Sequence, residues 1–142
     1  MYQKSEQEYT MSENHQVILL AHGSSDPQWC QTFEQLAKPT LEAIPESAIA
    51  YMELAEPSLD TAVARAVRKG AKLITVVPLF LAAGRHLRKD VPVMINRLAS
   101  QHQVRICLAP PIGQHLALGL AVREVVSDTL ATQSLMPEAI TS

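Results

Sequence analysis

Three side chains that could bind a metal ion or move a proton each lie at the end of an apolar stretch. His22 follows the run 17–21, Glu53 lies at the end of the run 48–54, and His86 follows the run 72–81. Two imidazoles and a carboxylate can hold a divalent first-row metal ion and leave coordination positions open. The same groups can act as general bases, because a neutral imidazole accepts a proton near pH 7. The residue types leave both chemistries open, beside a purely structural role in hydrogen bonding.

Two neighbouring segments are candidates for binding an anionic ligand. Gly23-Ser24-Ser25 precedes a predicted helix and could offer backbone N–H groups, although a tight turn would use the same residues. Three cations surround His86 and could bind the carboxylates of an acidic ligand, or simply be solvated; they are Arg85, Arg88 and Lys89. Glu56, close behind Glu53, is a second candidate for the acidic residue of the site.

Alternating strand and helix patterns position these residues. Apolar runs predict strands at 17–21, 48–54, 72–81 and 104–109, and helical signals predict helices at 26–44, 58–69, 90–100 and 114–129. Asp26 and Asp90 are predicted N-caps, Pro92 falls in the first turn of the third helix, and Pro39 should bend or split the first. The last helix is expected to point Leu116, Leu120 and Val125 inward.

The order βαβαβαβα predicts an α/β fold, with a small open parallel four-stranded sheet and helices on both faces. Ligands of such sheets bind beyond the carboxyl ends of the strands. We therefore expect His22, Glu53 and His86 to meet at one edge of the sheet. Four strands leave an edge or a face exposed, which a homodimer would cover.

Composition limits the classes of partner. The chain has 142 residues, 12 Lys and Arg against 14 Asp and Glu, one Trp, three Tyr and two Phe, so no strongly basic face for nucleic acid is expected. The sequence offers no membrane-spanning run, and two cysteines outside a CxxC pair indicate a reducing, cytoplasmic setting. We predict one domain at 15–131, a polar disordered extension at 1–14 and a flexible tail at 132–142.

Three motifs carry a family resemblance. The segments LAHGSSDP (20–27), YMELAEPSL (51–59) and VPLFLAAGRH (77–86) resemble, in order and spacing, those of the short sirohydrochlorin chelatases of the CbiX type, which are class II chelatases. The likeness extends over about 17–126. It implies one half of a class II chelatase fold, with His22 and His86 binding the metal and assisting proton removal and Glu53 as their acidic companion.

The resemblance also implies an activity and partners. A divalent metal ion, with cobalt favoured over iron or nickel, would enter sirohydrochlorin as two protons leave, for cobalamin or sirohaem, with no cofactor beyond the metal substrate. Sirohydrochlorin carries eight carboxylates, which would suit Arg85, Arg88 and Lys89. The short forms work as homodimers. Two alternatives stay open: a tetrapyrrole or metal carrier without turnover, and a small metal-dependent hydrolase, which the sequence favours less because no nucleophile motif is present.

Overall fold

The chain forms four strand–helix units around one parallel sheet. A computed structural model describes residues 14–133, apart from the side chain of His86. In chain order the elements are β1 (His15–Ala21), α1 (Pro27–Ala43), β2 (Ser47–Tyr51), α2 (Leu59–Arg68), β3 (Leu73–Pro78), α3 (Arg85–His102), β4 (Arg105–Leu108), a short 3-10 turn (Ile112–Gln114) and α4 (Leu116–Gln133). The strand order is β2-β1-β3-β4, with every neighbouring pair parallel. The predicted α/β fold is confirmed.

The main core lies between the sheet and helices α2 and α3. Alternate strand residues point to this face, as Ile18 and Leu20 do from β1 and Ile74 and Val76 from β3. Helices α2 and α3 bury apolar side chains against them, with Leu98 of α3 completely buried. Ser58 caps α2 as its hydroxyl accepts a hydrogen bond from the Thr61 N–H at 3.1 Å, which helps to hold this layer in place.

Helix α1 packs on the opposite face of the sheet, over β2 and part of β1. Leu19, Ala21, Tyr51 and Ala37 are buried outside the main core. The predicted cap is confirmed, because the Asp26 carboxylate accepts a hydrogen bond from the Gln28 N–H at 2.9 Å. Pro39 lies within α1 and does not split it, contrary to part of the prediction.

Strands β2 and β3 end three residues earlier than predicted, at Tyr51 and Pro78. Past these ends, Phe80 is buried, but Leu54 and Leu81 are 67% and 75% exposed. The backbones of both segments start beside β1, since the Met52 and Leu79 N–H groups donate to its Ala21 and Leu20 carbonyls at 2.9 and 2.8 Å. Apolar composition therefore overestimates the strand length here.

Helix α3 begins at Arg85, whereas a start at Asp90 was predicted. The sequence signal was Pro92, a residue expected in a first turn, but Pro92 lies inside the helix. Buried contacts of Val91, Ile95 and Leu98 stabilise the helix on both sides of the proline. The correction places His86 and the neighbouring cations on a helix instead of in a loop.

Helix α4 differs most from its prediction. It runs to Gln133, two residues into the predicted tail, and none of its residues is buried. The expectation that Leu116, Leu120 and Val125 point inward is wrong for this chain, since Leu116 and Val125 are 61% and 63% exposed and Leu120 is half-buried. Segments 1–13 and 134–142 lie outside the described residues, so the division into one domain and two tails stays a prediction. Within 14–133, no helix is long and apolar enough to cross a membrane.

Candidate metal and proton-transfer site

The candidate site lies at the carboxyl edge of the sheet, between β1 and β3. Helix α1 follows β1 on one face and α3 follows β3 on the other, so the chain leaves these adjacent strands in opposite directions. Such a switch point opens the crevice in which doubly wound sheets bind ligands. His22 follows β1 directly, and His86 is the second residue of α3. His22 therefore belongs to the loop on one side of this crevice, and His86 belongs to the first turn of the helix on the other side.

His22 and Glu53 form a pair at this edge. The His22 Nε2 atom is 3.7 Å from the Glu53 Oε1 atom, and the side chains are 48% and 60% exposed. An exposed pair of this kind contributes only about 0–1 kcal/mol to stability. Its exposure instead leaves both groups accessible to a substrate and to water, as proton transfer or metal exchange requires. Glu56 is held elsewhere, since its Oε2 accepts a hydrogen bond from the Ser58 N–H at 3.1 Å.

Gly23 holds the two loops of this pair together. Its φ of +105° is one that residues with a side chain rarely adopt, and a Cβ there would lie 1.8 Å from the Glu53 carbonyl oxygen. The Glu53 N–H donates to the His22 carbonyl at 3.2 Å, so the loops also share a backbone hydrogen bond. The sequence predicts Gly23 as a turn or anion-binding residue and carries no local signal for this close approach, which depends on two distant segments.

Phe80 connects His22 with the β3 side of the crevice. The two rings meet edge to face, with centroids 6.1 Å apart and an angle of 69° between their planes. Phe80 also lines a cleft of about 300 Å³, together with Leu87, Arg88 and Pro110. An apolar wall and a cation thus lie close to the histidine, a combination that suits a flat ligand with acidic substituents.

Arg85, Arg88 and Lys89 lie in the first two turns of α3 and are exposed. Because residues three and four apart share one face of a helix, the three cations form a single row there. The sequence predicted a loop at these positions, so their common helical face is a result of the earlier start of α3.

The segment Gly23-Ser24-Ser25 is built as a turn into α1. The Asp26 N–H donates to the Ser24 hydroxyl at 3.0 Å, and the Cys30 thiol donates to the Ser24 carbonyl at 3.4 Å. These bonds account for the tight-turn interpretation of the sequence. Anion binding by the same segment stays a prediction.

Tyr51 is the last residue of β2 and lies two residues before Glu53 of the candidate site. Its side chain is 1% exposed. Burial, then the neighbouring Cys30 and Glu34, raise the pKa of Tyr51 to about 12. The phenol is therefore neutral at physiological pH.

Among the side chains that the structure describes, no three His, Cys, Asp or Glu residues cluster closely enough to hold a metal ion. His22 and Glu53 are thus a pair of potential ligands with open positions beside them.

Comparison with known proteins assigns the family. The CbiX family model matches residues 16–129, which include β1 to β4 and most of α4. The chain belongs to the CbiX family. This CbiX-family chain is also 32% identical over 97 residues to a sirohydrochlorin cobaltochelatase from Sulfolobus acidocaldarius, an alignment that covers 68% of this chain and 77% of that protein.

Solved structures agree with the family assignment. A crystal structure of a CbiX protein assigned to cobalamin (vitamin B12) biosynthesis, from Marinobacter aquaeolei VT8, has a TM-score of 0.81 and 66% identity; the match covers 83% of this chain and 98% of that one. The sirohydrochlorin chelatase SirB from Bacillus subtilis subspecies spizizenii, in complex with cobalt, has a TM-score of 0.72 and 30% identity. That match covers 81% of this chain and 50% of SirB, so the CbiX-family chain corresponds to about half of SirB.

Proposed function

We propose that this chain inserts a divalent metal ion into sirohydrochlorin and releases two protons, with cobalt as the favoured metal and iron or nickel as alternatives. The observation that carries the proposal is the exposed His22–Glu53 pair at the switch point of a CbiX-family fold. The relative from Sulfolobus acidocaldarius is named a cobaltochelatase, and SirB is described in complex with cobalt; both support the choice of reaction.

The proposed reaction needs a metal that is held loosely and a base beside it. Two pyrrole N–H protons leave as one M²⁺ enters, so the site must release the metal to the ring nitrogens. In this proposal the His22 imidazole binds the metal and, once the metal has passed to the ring nitrogens, accepts one of the two pyrrole protons, while His86 accepts the other. Glu53, 3.7 Å from His22, stabilises the imidazolium that forms there. The high exposure of both groups lets the proton pass on to water.

His86 is the proposed second metal ligand, from the other side of the crevice. It belongs to the first turn of α3, and His22 belongs to the loop after the adjacent strand β1. Two imidazoles and one carboxylate leave coordination positions for pyrrole nitrogens, whereas a closed cage of four ligands would trap the metal.

The acidic substituents of sirohydrochlorin have matching cations in this proposal. Arg85, Arg88 and Lys89 would bind carboxylates, with Arg suited to two parallel hydrogen bonds. Gly23-Ser24-Ser25 would contribute backbone N–H groups on the opposite rim. The apolar cleft beside Phe80 would receive part of the macrocycle face.

The proposal also includes the setting of the enzyme. The protein would act as a cytoplasmic homodimer. Each copy corresponds to about half of SirB, so two copies together would match SirB in size. It would need no cofactor beyond its metal substrate, and no nucleic acid or membrane.

One assay tests the activity. Purified full-length chain is mixed with sirohydrochlorin and with Co²⁺, Fe²⁺ or Ni²⁺ in separate reactions, and the absorption change is compared with the protein-free rate. We expect acceleration with at least one metal. A rate equal to the protein-free rate with all three metals would overturn the proposal, and stoichiometric binding of sirohydrochlorin without turnover would favour the carrier alternative.

Matched variants test the residue roles. His22→Ala and His86→Ala should each lower the turnover number by roughly 100-fold or more, the range expected for loss of a positioned base. His102→Ala is the control, because His102 ends α3, 16 residues and about 24 Å beyond His86. Glu53→Gln should slow turnover while Glu56→Gln should not, since only Glu53 faces His22. Equal effects of the two glutamine variants would remove Glu53 from the mechanism.

A further inference from the structure

Leu54, the residue after Glu53, has a backbone conformation that leucine rarely adopts. Its φ is +62°, in the left-handed region, where the Cβ of an L-residue crowds the backbone. Among residues 14–133, Gln103 is the only other non-glycine residue with a positive φ. Gln103 is the C-cap of α3, a position where this conformation is common. Leu54 lies in the loop between β2 and α2 and caps no helix, so its strained conformation needs another explanation.

Packing within the chain does not explain the conformation of Leu54. The residue is 67% exposed, and it belongs neither to the main core nor to the side chains packed against that core. Met52, two residues earlier in the same loop, does pack against the core. The chain thus keeps one apolar side chain of this loop inside and directs the other to the solvent. Leu54 contributes little burial to stability, while its backbone conformation costs free energy.

The loop that carries Leu54 is fixed by backbone hydrogen bonds. The Tyr51 N–H donates to the Pro57 carbonyl at 2.9 Å and closes the loop at its base. The Glu53 N–H donates to the His22 carbonyl at 3.2 Å, immediately before Leu54. The contacts that place Glu53 beside His22 therefore also set the position of Leu54.

Leu54 borders the candidate site on the side of β2. Strands β2 and β3 flank β1, so Leu54 after β2 and Phe80 after β3 follow the two neighbours of the strand that ends at His22. Phe80 forms an apolar wall on the β3 side, with its ring centroid 6.1 Å from that of His22. Leu54 adds an exposed apolar group on the β2 side. A flat ring above the His22–Glu53 pair would bury apolar surface against both.

The side chain of Leu54 also indicates which part of a ligand it contacts. Leucine has no hydrogen-bond donor, so it cannot bind a carboxylate substituent. Its branched apolar end instead gains dispersion contacts from a flat apolar surface. The matching part of an acidic ring ligand is therefore the ring itself.

We propose that Leu54 is a binding residue for the macrocycle of sirohydrochlorin, held in a strained conformation so that its side chain packs on the ring above the His22–Glu53 pair. The contact is preformed, because the free chain already holds the side chain outward. This inference rests on the proposed function and extends it, since it adds a ring contact on the β2 side, opposite the cleft beside Phe80.

Binding of sirohydrochlorin to the full-length chain without metal, followed by absorption, measures this contact. Leu54→Asn removes the apolar group and introduces a residue that tolerates the left-handed conformation. We expect its Kd to rise roughly 5- to 10-fold, because part of a leucine side chain no longer packs on an apolar surface. Leu54→Met keeps an apolar side chain and should retain most of the affinity. An unchanged Kd in Leu54→Asn would overturn the proposal.

Steady-state kinetics separate ring binding from positioning of Glu53. Leu54→Asn should raise KM and leave kcat within about threefold, because loss of a binding contact leaves the metal ligands and the base in place. A fall in kcat at unchanged KM would show that Leu54 acts through Glu53 and would overturn the proposal.

Urea unfolding tests the strain. The unfolding midpoint of Leu54→Asn should be at or above that of the wild type, since asparagine is less strained than leucine at this φ. A midpoint well below the wild-type value would show that Leu54 stabilises the fold, and would overturn the proposal that its conformation serves binding.

Gln103→Asn is the matched control, because it places asparagine at the other left-handed position, which has a φ of +52° at the far end of α3. It should leave Kd and KM unchanged, and equal weakening of binding by both asparagine variants would overturn the proposal. Failure of the proposed function gives a different result. A wild type that binds sirohydrochlorin without inserting metal would disprove only the activity, because Kd is measured without turnover. A wild type that does not bind sirohydrochlorin would overturn both.

Discussion

The two faces of the sheet differ in how completely the chain covers them. On the face of α2 and α3, residues from every strand and both helices form one core, and side chains such as Leu20, Ile74 and Leu98 are fully buried. On the other face, α1 covers β2 and part of β1 around Tyr51 and Ala37, and the rest of β1 and β3 lines an open apolar groove of about 890 Å³ beside α1.

This contrast indicates which parts of the protein are stable by themselves. The covered face depends on contacts within one chain, so its stability does not depend on protein concentration. The groove beside α1 has no cover among residues 14–133, so this face adds less apolar burial to the stability of a single chain. The candidate site lies at the edge where the faces meet, and its His22 and Glu53 loops are joined by contacts of a single chain.

The largest effect is expected on the covered face. Leu98→Ala removes a fully buried side chain and should lower the free energy of unfolding by roughly 2–5 kcal/mol, through lost burial and the cavity that remains. Leu36→Ala is the counterpart on the open face, where the side chain is 67% exposed. Urea unfolding at two protein concentrations measures both. Leu98→Ala should have the larger cost at either concentration, and Leu36→Ala should cost about 0.5 kcal/mol or less. Equal costs would refute the contrast.

At the edge between the faces, Gly23→Ala should lower kcat/KM for the proposed reaction by roughly 100-fold, as expected for a displacement of about 1 Å at a reacting group. The added Cβ collides with the Glu53 backbone and moves that residue relative to His22. Gly70→Ala is the control. Gly70 also has a positive φ, of +93°, but an added Cβ meets no atom within 4 Å. Full activity of Gly23→Ala in steady-state kinetics would show that the close approach of the Gly23 and Glu53 backbones is not needed for the reaction.

Tyr51 provides a pH test of the part of the second face that α1 covers. Its pKa in the folded chain is about 12, above the ordinary value of 10.0, because burial disfavours the phenolate. The neutral phenol therefore stabilises the fold fully below pH 10, and this contribution is lost as the pH rises through 12. The loss should be of the order of 2 kcal/mol. The free energy of unfolding of the wild type and of Tyr51→Phe, measured between pH 10 and 12, gives this loss. The same pH dependence in both proteins would contradict the prediction.

The smallest effect is expected at the surface of the covered face. The Arg97 Nη2 atom lies 2.8 Å from the Asp60 Oδ1 atom and joins α3 to α2, but both side chains are about half exposed. A double-mutant cycle with Arg97→Ala and Asp60→Ala should give a coupling free energy of about 0.2–1 kcal/mol, decreasing with added salt. A coupling well above that range would mean that the covered face depends on surface charge as well as on its apolar core.

Local patterns in the sequence were enough to predict most of the architecture. Apolar runs located all four strands, the predicted cap Asp26 marked the start of α1, and the predicted helix 58–69 agrees with α2 to within one residue at each end. Where a local signal conflicted with tertiary packing, prediction failed. Pro92 indicated a late start for α3, yet contacts of Val91 and Ile95 support the helix on either side of it.

The candidate site also combines features that local sequence patterns predict with features that depend on tertiary contacts. The positions of His22 and Glu53 just beyond β1 and β2, and of His86 in the segment that follows β3, agree with the alternation of elements along the chain. That Glu53 and not Glu56 faces His22 depends on the register of β1 against β2 and on the missing Cβ of Gly23, which are relations between distant segments. The contact of Phe80 with His22 is likewise a product of neighbouring strands.

By itself, the sequence determined the order and type of the elements and the residues delivered to the carboxyl edge, because periodicity and capping act over a few neighbouring residues. Only the tertiary structure decided which carboxylate pairs with His22, where α3 begins and that α4 stands away from its own sheet. Burial is a relation between segments that meet in space, so an apolar helix in the sequence specifies that a partner is needed and leaves its source to the assembled fold.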